Sequence, residues 1–320
     1  MKRSFWVLLL MPLLVNAQGN YPSKPVRMII PFAPGGASDF VGRIMQPRLS
    51  ELLGQQVIVE NRAGASGNIG LDAAAKAPAD GYTVFLGNIG TVAINPAVFA
   101  ATLAVNPVRD FIAVTQVVDV PSALVAHPSL PANDIRELVA YAKANPGKLN
   151  YGSPGSGSQN RLEMEVLRKL ENLDMVHIPY KGGAGPAITG LIGGETHVMF
   201  VTVSSAIGHV RSGRLKLLGV SGAKRLEAAP GVPTAAESGY PELTGGSWQG
   251  VFVPAGTPKE VVDRLLPAVL QTMQTQDVVT RLANGGVEVV TSSPAAFAEF
   301  VAAETRKWAR VVKESNATPD

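Results

Sequence analysis

Short apolar runs alternate with segments of helical period along almost the whole chain. "VRMIIPF" is continuously apolar and predicts a strand buried on both faces. The stretch after it puts Val41, Ile44, Met45, Leu49, Leu52 and Leu53 on one helical face and stops at Gly54. Pro47 lies inside that helix and is expected to kink it. "QVIVEN" and "YTVFLGN" predict the next strands, with a helix around Asn68 to Ala77 between them. A second set begins near Pro121. "SALVAH", "KLNYG", "MVHIPY", "THVMFV" and "LKLLGVS" predict strands separated by helical stretches. Asn133 is expected to cap the helix Asp134 to Ala144, with Glu137 close to capping-box spacing.

After Arg225 the chain becomes rich in Pro and Gly, as a connector would. "SWQGVFVP" and "GVEVV" predict strands among the last helices. The final helix carries Phe297, Phe300, Val301, Trp308 and Val311 on roughly one side. Such alternation predicts an α/β protein with mostly parallel sheets. The economical layout is one domain built from both ends of the chain, residues 22–122 and 249–320. A second domain, residues 123–248, is inserted between them. Crossovers near Pro121 and Gly245 to Gly250 would then form a hinge.

A length of 320 residues suits two domains better than one core. The 46% apolar and 17% charged fractions fit a soluble globular chain. Basic residues form no run of five or six, which argues against a nucleic-acid partner. "MKRSFWVLLLMPLLVNA" has a basic start, an apolar run from Phe5 to Val15 and small-residue cleavage chemistry. The run is short for a bilayer span, so residues 1–17 read as a secretory signal cut after Ala17; the alternative is a membrane anchor. Cleavage removes Lys2 and Arg3 and takes the formal charge from +3 to +1. With no cysteine there is no disulfide, thiolate nucleophile, zinc–thiolate site or lipid-modified N-terminal Cys. The expectation is a protein of the bacterial periplasm that is not a lipoprotein.

Three glycine-rich turns each follow a predicted strand and open a helix: "IIPFAPGGASD", "NYGSPGSGSQN" and "PYKGGAGPA". In an open parallel sheet, ligands bind beyond the carboxyl ends of strands, where such turns lie. Glycine lets backbone N–H groups approach a ligand, and a helix start adds unpaired N–H groups and the positive end of a dipole. Two facing starts with serine hydroxyls would hold a carboxylate at micromolar strength, about −8 kcal/mol. The first turn offers Ser38; the second offers Ser153, Ser156, Ser158, Gln159 and Asn160. Asp39 suits the dipole of its own helix but repels an anion, so capping or pinning the loop competes with ligand contact.

Catalytic signatures are missing. No turn ends in the Lys-Ser or Lys-Thr of a phosphate loop, and "GASG" at Gly64 only approaches a nucleophile elbow. His127, His177, His197 and His209 lack metal-ligand spacing, and no carboxylate pair reads as acid and base. No catalytic residue, metal or cofactor is expected.

"YPSKPVRMIIPFAPGGASD", "GQQVIVENRAGASGNIG", "NYGSPGSGSQN", "IPYKGGAGPAITGLIGGE" and "GVPTAAESGYPELTGGSWQGVFVPAGTP" resemble the substrate-binding receptors of tripartite tricarboxylate transporters, the Bug or TctC family. The match runs from about Tyr21 to the C-terminus. It implies a two-lobed periplasmic binding protein of type II arrangement, with the ligand in the interdomain cleft. It also implies a small organic carboxylate as ligand: a dicarboxylate, tricarboxylate, aromatic acid or acidic amino acid. The receptor would act as a monomer and deliver its ligand to membrane permease subunits. A ligand sensor that presents its closed form to a membrane signalling partner is the alternative, and an enzyme acting on a carboxylate a more distant one.

Carried onto this sequence, the ligand loops are Phe32 to Asp39 and Ser153 to Asn160. Gly35, Gly36, Ala37 and Ser38 would present one carboxylate site, with Asp39 beside them. Ser153, Ser156, Gly157 and Ser158 would present the facing one, with Gln159 and Asn160 following. Lys181 would reach a distal anionic group or stand exposed. Phe32 and Trp248 would wall the cleft or belong to the core. The chain departs from the family at Arg161, where His is usual, and at Gly190 and His197, where Asp is common. Those changes make the inserted lobe less negative, which favours a more anionic ligand or reflects drift away from the cleft.

Overall fold

The computed structural model describes residues 21–243, 245–315 and 318–319; the predicted signal, residues 1–17, lies outside them. The first half of the chain runs β1 (Val26–Ile30), α1 (Ala37–Leu53), β2 (Val57–Asn61), α2 (Asn68–Ala75) and β3 (Thr83–Asn88). The one-turn helices α3 (Asn95–Val98) and α4 (Pro107–Asp110) then lead into a long strand, β4 (Phe111–Ala126). Next come α5 (Ile135–Ala144), β5 (Leu149–Ser153), α6 (Gln159–Glu171), β6 (Met175–Pro179), α7 (Ala184–Ile192), β7 (Val198–Thr202), α8 (Val203–Arg211) and β8 (Lys216–Val220). The chain returns through β9 (Gly246–Pro254) and closes with α9 (Lys259–Gln274), α10 (Gln276–Asn284), β10 (Glu288–Val289) and α11 (Pro294–Ser315).

Strand pairing divides these elements into two lobes. In the first the order is β2-β1-β3-β9-β4, with β10 along the outer side of β4. In the second, β8 and β7 flank β4, and β5 and β6 follow β7. β4 belongs to both. Phe111 to Pro121 pairs with β9, and Ser122 to Ala126 pairs with β7 and β8. The crossover therefore falls between Pro121 and Ser122, and the return crossover meets it where Gly246 pairs with Pro121.

The expectation of mostly parallel sheets holds for β1, β2 and β3 and for β5, β6 and β7, but not for the centre. β4 runs antiparallel to β9, β7 and β8 because it must serve both lobes while the chain passes out and back.

The strands are apolar on both faces because both faces are covered. In β1, Met28 and Ile30 pack with α1 and α9 through Met45, Leu49, Leu265 and Val269. Ile29 points the other way, into a cluster with Phe85, Phe252, Phe297 and Trp308. In β4, Leu124 joins Leu138, Met164 and Phe200 on one face of the second lobe, and Ala123 and Val125 join Ile188, Leu191 and Ile207 on the other. α1 continues through Pro47 as one helix and ends where Gly54, at φ 72°, donates its N–H to the Ser50 and Glu51 carbonyls.

Two local expectations are corrected. Asp134, not Asn133, caps α5, accepting from the Glu137 N–H at 2.8 Å. The Glu137 carboxylate reaches back to the backbone and side chain of Asn133, so the cap is reciprocal but begins one residue later. Phe300 is more than a third exposed, because α11 is amphipathic and only part of its apolar side meets the sheet.

Candidate ligand-binding site

The carboxyl ends of β1 and β3 in one lobe and of β5 and β7 in the other point at a common gap. Between them lies a cavity of about 50 Å³, which holds a few waters or one end of a small ligand. Helix starts converge on it. Gly36 and Ala37 open α1, Ser158 and Gln159 open α6, Ala184 opens α7, and Thr202 precedes α8. Gly90 begins a wide helical turn, Gly90–Ile94, from the β3 side. Gly36, Gly183 and Thr202 make no side-chain cap, so first-turn N–H groups of α1, α7 and α8 are left for an occupant. Each helix start favours an anion by about 0.3–1 kcal/mol when exposed and up to about 2 kcal/mol when partly buried.

Among the described residues the lining carries no ionisable side chain. Its polar groups are Ser38, Ser66, Asn88, Ser158, Gln159, Asn160, Thr202 and Ser247, and its apolar walls include Phe32, Ile89 and Pro154. An anion here would meet neutral donors and backbone dipoles only.

The lobes are in contact around the cavity. Ala33 N–H donates to the Gly182 carbonyl at 2.9 Å. A Cβ on Gly183, which sits at φ +98°, would meet the Phe32 ring at 2.9 Å. Arg211 Nη2 donates to the Asn284 carbonyl at 3.3 Å, and Arg161 Nη1 to the Thr318 carbonyl at 2.8 Å. The two crossovers are tied together by Ser221. Its hydroxyl accepts from Ser122 N–H at 2.8 Å and donates to the Gly245 carbonyl at 2.7 Å.

Of the residues singled out from sequence, Phe32, Gly36, Ala37, Ser38, Gly157, Ser158, Gln159 and Asn160 come together on the cavity. The rest lie elsewhere. Gly35 lines clefts on the outer side of the first turn. Asp39 turns away and pins that turn, accepting from Gly35 N–H at 3.1 Å, Arg43 Nε at 2.9 Å and Asn61 Nδ2 at 3.0 Å. Burial pushes its pKa up, but the hydrogen bonds from Arg43, Asn61 and Gly35 outweigh burial and hold it below the ordinary carboxylate value. Ser153 is fully buried, with its hydroxyl 2.7 Å from His177 Nε2 and accepting from Gly155 N–H. Burial and then the charges of Arg161 and Arg168 lower His177 to about 4, so it stays neutral near pH 7. That serine–histidine pair braces the second turn from behind and does not line the cavity. Ser156 is buried behind the same turn, where its carbonyl accepts from Arg161 Nη1 at 3.2 Å. Lys181 is exposed and outside the lining.

Of the two readings for Trp248, cleft wall or core, the structure takes the core, and Trp248 does not line the cavity. It is 2% exposed, meets Phe297 and Phe300 edge-on, and donates Nε1–H to Glu304 at 3.2 Å. Alternation along β9 sends Trp248 to the α11 face and leaves its neighbour Ser247 facing the cavity.

Sequence reasoning missed Ser66, Asn88, Gly90, Ala184, Thr202 and Ser247. Asn88 ends a predicted strand and Thr202 directly follows one, so the rule of strand carboxyl ends points to both. Ser66 belongs to the "GASG" stretch, and Ala184 to the third glycine-rich turn.

With this geometry in place, comparison with known proteins decides the family. Residues 41–317 match the model of the tripartite tricarboxylate transporter family receptor. The chain belongs to that family. Protein BugT of Bordetella pertussis is 36% identical over 298 residues, covering 93% of this chain and 91% of BugT. The structure of MatC from Rhodopseudomonas palustris with bound malate superposes with a TM-score of 0.85 at 32% identity, covering 91% of this chain and all of that one. That of Rpa4515 from R. palustris with adipate gives 0.89 at 33% identity, covering 94% of this chain and all of that one. This receptor has the two-lobed fold of the periplasmic binding proteins. Among its described residues no helix is long and apolar enough to cross a membrane.

Proposed function

We propose that this receptor binds a small organic carboxylate between its lobes and delivers it to a tripartite tricarboxylate-type permease. The observation that carries the reading is the convergence of uncapped helix starts from both lobes on a cavity without an ionisable side chain. An anion held this way is stabilised without a counter-ion whose desolvation must be reversed on release. Malate in MatC and adipate in Rpa4515 support a small carboxylate as ligand. Ser38, with the backbone of Gly36, Ala37 and Gly157, supplies the proposed carboxylate donors, while the Ser158 hydroxyl already donates to the Gly155 carbonyl at 2.7 Å and shapes the second turn. Residues 22–121 with 246–320, and residues 122–245, are the proposed moving domains, bounded by the two crossovers. A ligand touching both shifts the open state toward the closed one through contacts made only on closure. The working form is the periplasmic chain from Gln18 onward.

The test is a thermal-shift series on protein unfolded and refolded to remove retained ligand, with mono-, di- and tricarboxylates, aromatic acids and acidic amino acids. Ligand at a hundred times its Kd stabilises by about 2.7 kcal/mol. A dose-dependent shift with one class supports the reading, and flat curves across the panel with folded protein reject it.

A further inference from the structure

One turn into α6 lies a buried carboxylate that forms no ion pair among the described residues. Glu163 Oε1 accepts from Gln159 Nε2 at 3.1 Å, and Oε2 accepts from Asn160 Nδ2 at 3.0 Å. The Ser122 hydroxyl also bonds to it and takes the Asn160 amide at 2.8 Å. Both amides belong to residues that line the cavity. A carboxylate only accepts, so each amide must turn its NH₂ toward Glu163. Reversing Gln159 would set its carbonyl oxygen against the carboxylate. Gln159 is therefore held with Oε1 as its spare end. That oxygen is buried and has no hydrogen-bond partner.

A buried acceptor without a donor penalises any occupant that cannot supply one. A plain carboxylate cannot, because its own oxygens only accept. A hydroxyl beside the carboxylate can. An ammonium group brings three N–H donors and a charge, and the lining offers it no carboxylate, so its desolvation is poorly met. We propose that Glu163 is a positioning residue that holds the Gln159 carbonyl toward the ligand, so that the cavity selects hydroxycarboxylates over their unsubstituted and amino counterparts. The proposal rests on the carboxylate-receptor reading and deepens it.

Calorimetric titration of the refolded receptor at pH 8 tests it. Burial raises Glu163 to about 7, so the carboxylate is ionised there. The probes are malate, succinate and aspartate; lactate, propionate and alanine; and 2-hydroxyadipate, adipate and 2-aminoadipate. In every set that binds, the hydroxy acid is expected to bind about tenfold or more tighter, the worth of one net hydrogen bond. Gln159→Met removes the acceptor at similar volume and is expected to bring the ratio near one. Glu163→Gln frees the amide to turn and is expected to reduce the ratio. Equal Kd values within the sets, or a preference that survives Gln159→Met, overturn the proposal while leaving the receptor reading standing. If no acid in any set or in the wider panel binds, both fall. Should Glu163→Gln fail to fold, Gln159→Met decides alone.

Discussion

The backbone N–H of Ala33 donates to the carbonyl of Gly182 at 2.9 Å, joining the first glycine-rich turn to the third across the interlobe boundary. Beside that bond a Cβ on Gly185 would collide with the Pro34 carbonyl oxygen. The obstacle is backbone and cannot swing aside. Gly185 lies in the first turn of α7, where alanine is the better helix former. Gly185→Ala is therefore expected to fold with an unchanged or slightly raised Tm but to resist closure. Ligand affinity should fall about tenfold or more, since closed-state contacts are lost. Calorimetry with small-angle scattering checks this; a variant that closes on ligand like the parent would contradict it.

Ser221 joins the two crossovers through Ser122 and Gly245 and is fully buried. Ser221→Ala removes the hydroxyl and leaves a buried N–H and a carbonyl short of a partner. The expected cost is about 1–3 kcal/mol, read as a lowered midpoint in urea unfolding. A midpoint equal to the parent's would mean that water replaces the hydroxyl.

Glu163 carries a pH signature of known sign. Burial raises its pKa from 4.5 to about 7, against hydrogen bonds from Ser122, Asn160 and Gln159 that lower it. Its folded form holds a proton that the unfolded form releases, so its contribution is full below about 4.5 and is lost as pH rises through 7. Relative to Glu163→Gln, the parent should lose on the order of 3 kcal/mol between pH 4.5 and pH 8. Parallel stability curves for the two proteins would show that the carboxyl is not perturbed.

Asp39 has the opposite sign. Burial opposes ionisation, but Arg43, Asn61 and the Gly35 N–H stabilise the carboxylate more, so its pKa is depressed. Its contribution is present above the unfolded value and is lost as pH falls through the depressed folded one. Asp39→Ala should flatten the acid limb of the stability curve. It should also weaken ligand binding, because the first turn loses the acceptor that holds Gly35 and Asn61. Acid-unfolding midpoints and calorimetry read both effects.

Much of this molecule is legible in its sequence where the controlling physics is local. Gly54 ends α1 because a left-handed residue is needed there, and Ser158 starts α6 because its hydroxyl accepts from the Arg161 N–H three residues on. Apolar runs mark strands covered on both faces. The glycine-rich turns mark helix starts whose N–H groups stay open. Those features, all set by neighbours a few residues away, also carry the family resemblance.

Partners far along the chain settled the remainder. Trp248 is a core residue because β9 alternation turns it toward Phe297 and Glu304, and a strand does not state in advance which of its faces is open. Ser247 and Thr202, which sequence reasoning passed over, reach the cavity because β9 and β7 both flank β4 at the crossover. Gln159 was readable as a candidate, but the direction of its amide depends on Glu163, and Glu163 in turn is hydrogen-bonded by Ser122 of β4, distant in sequence. A backbone donor at a helix start is a property of a short segment. The shape of a cavity, and which atom of a side chain faces into it, arise only when segments distant in sequence are packed together.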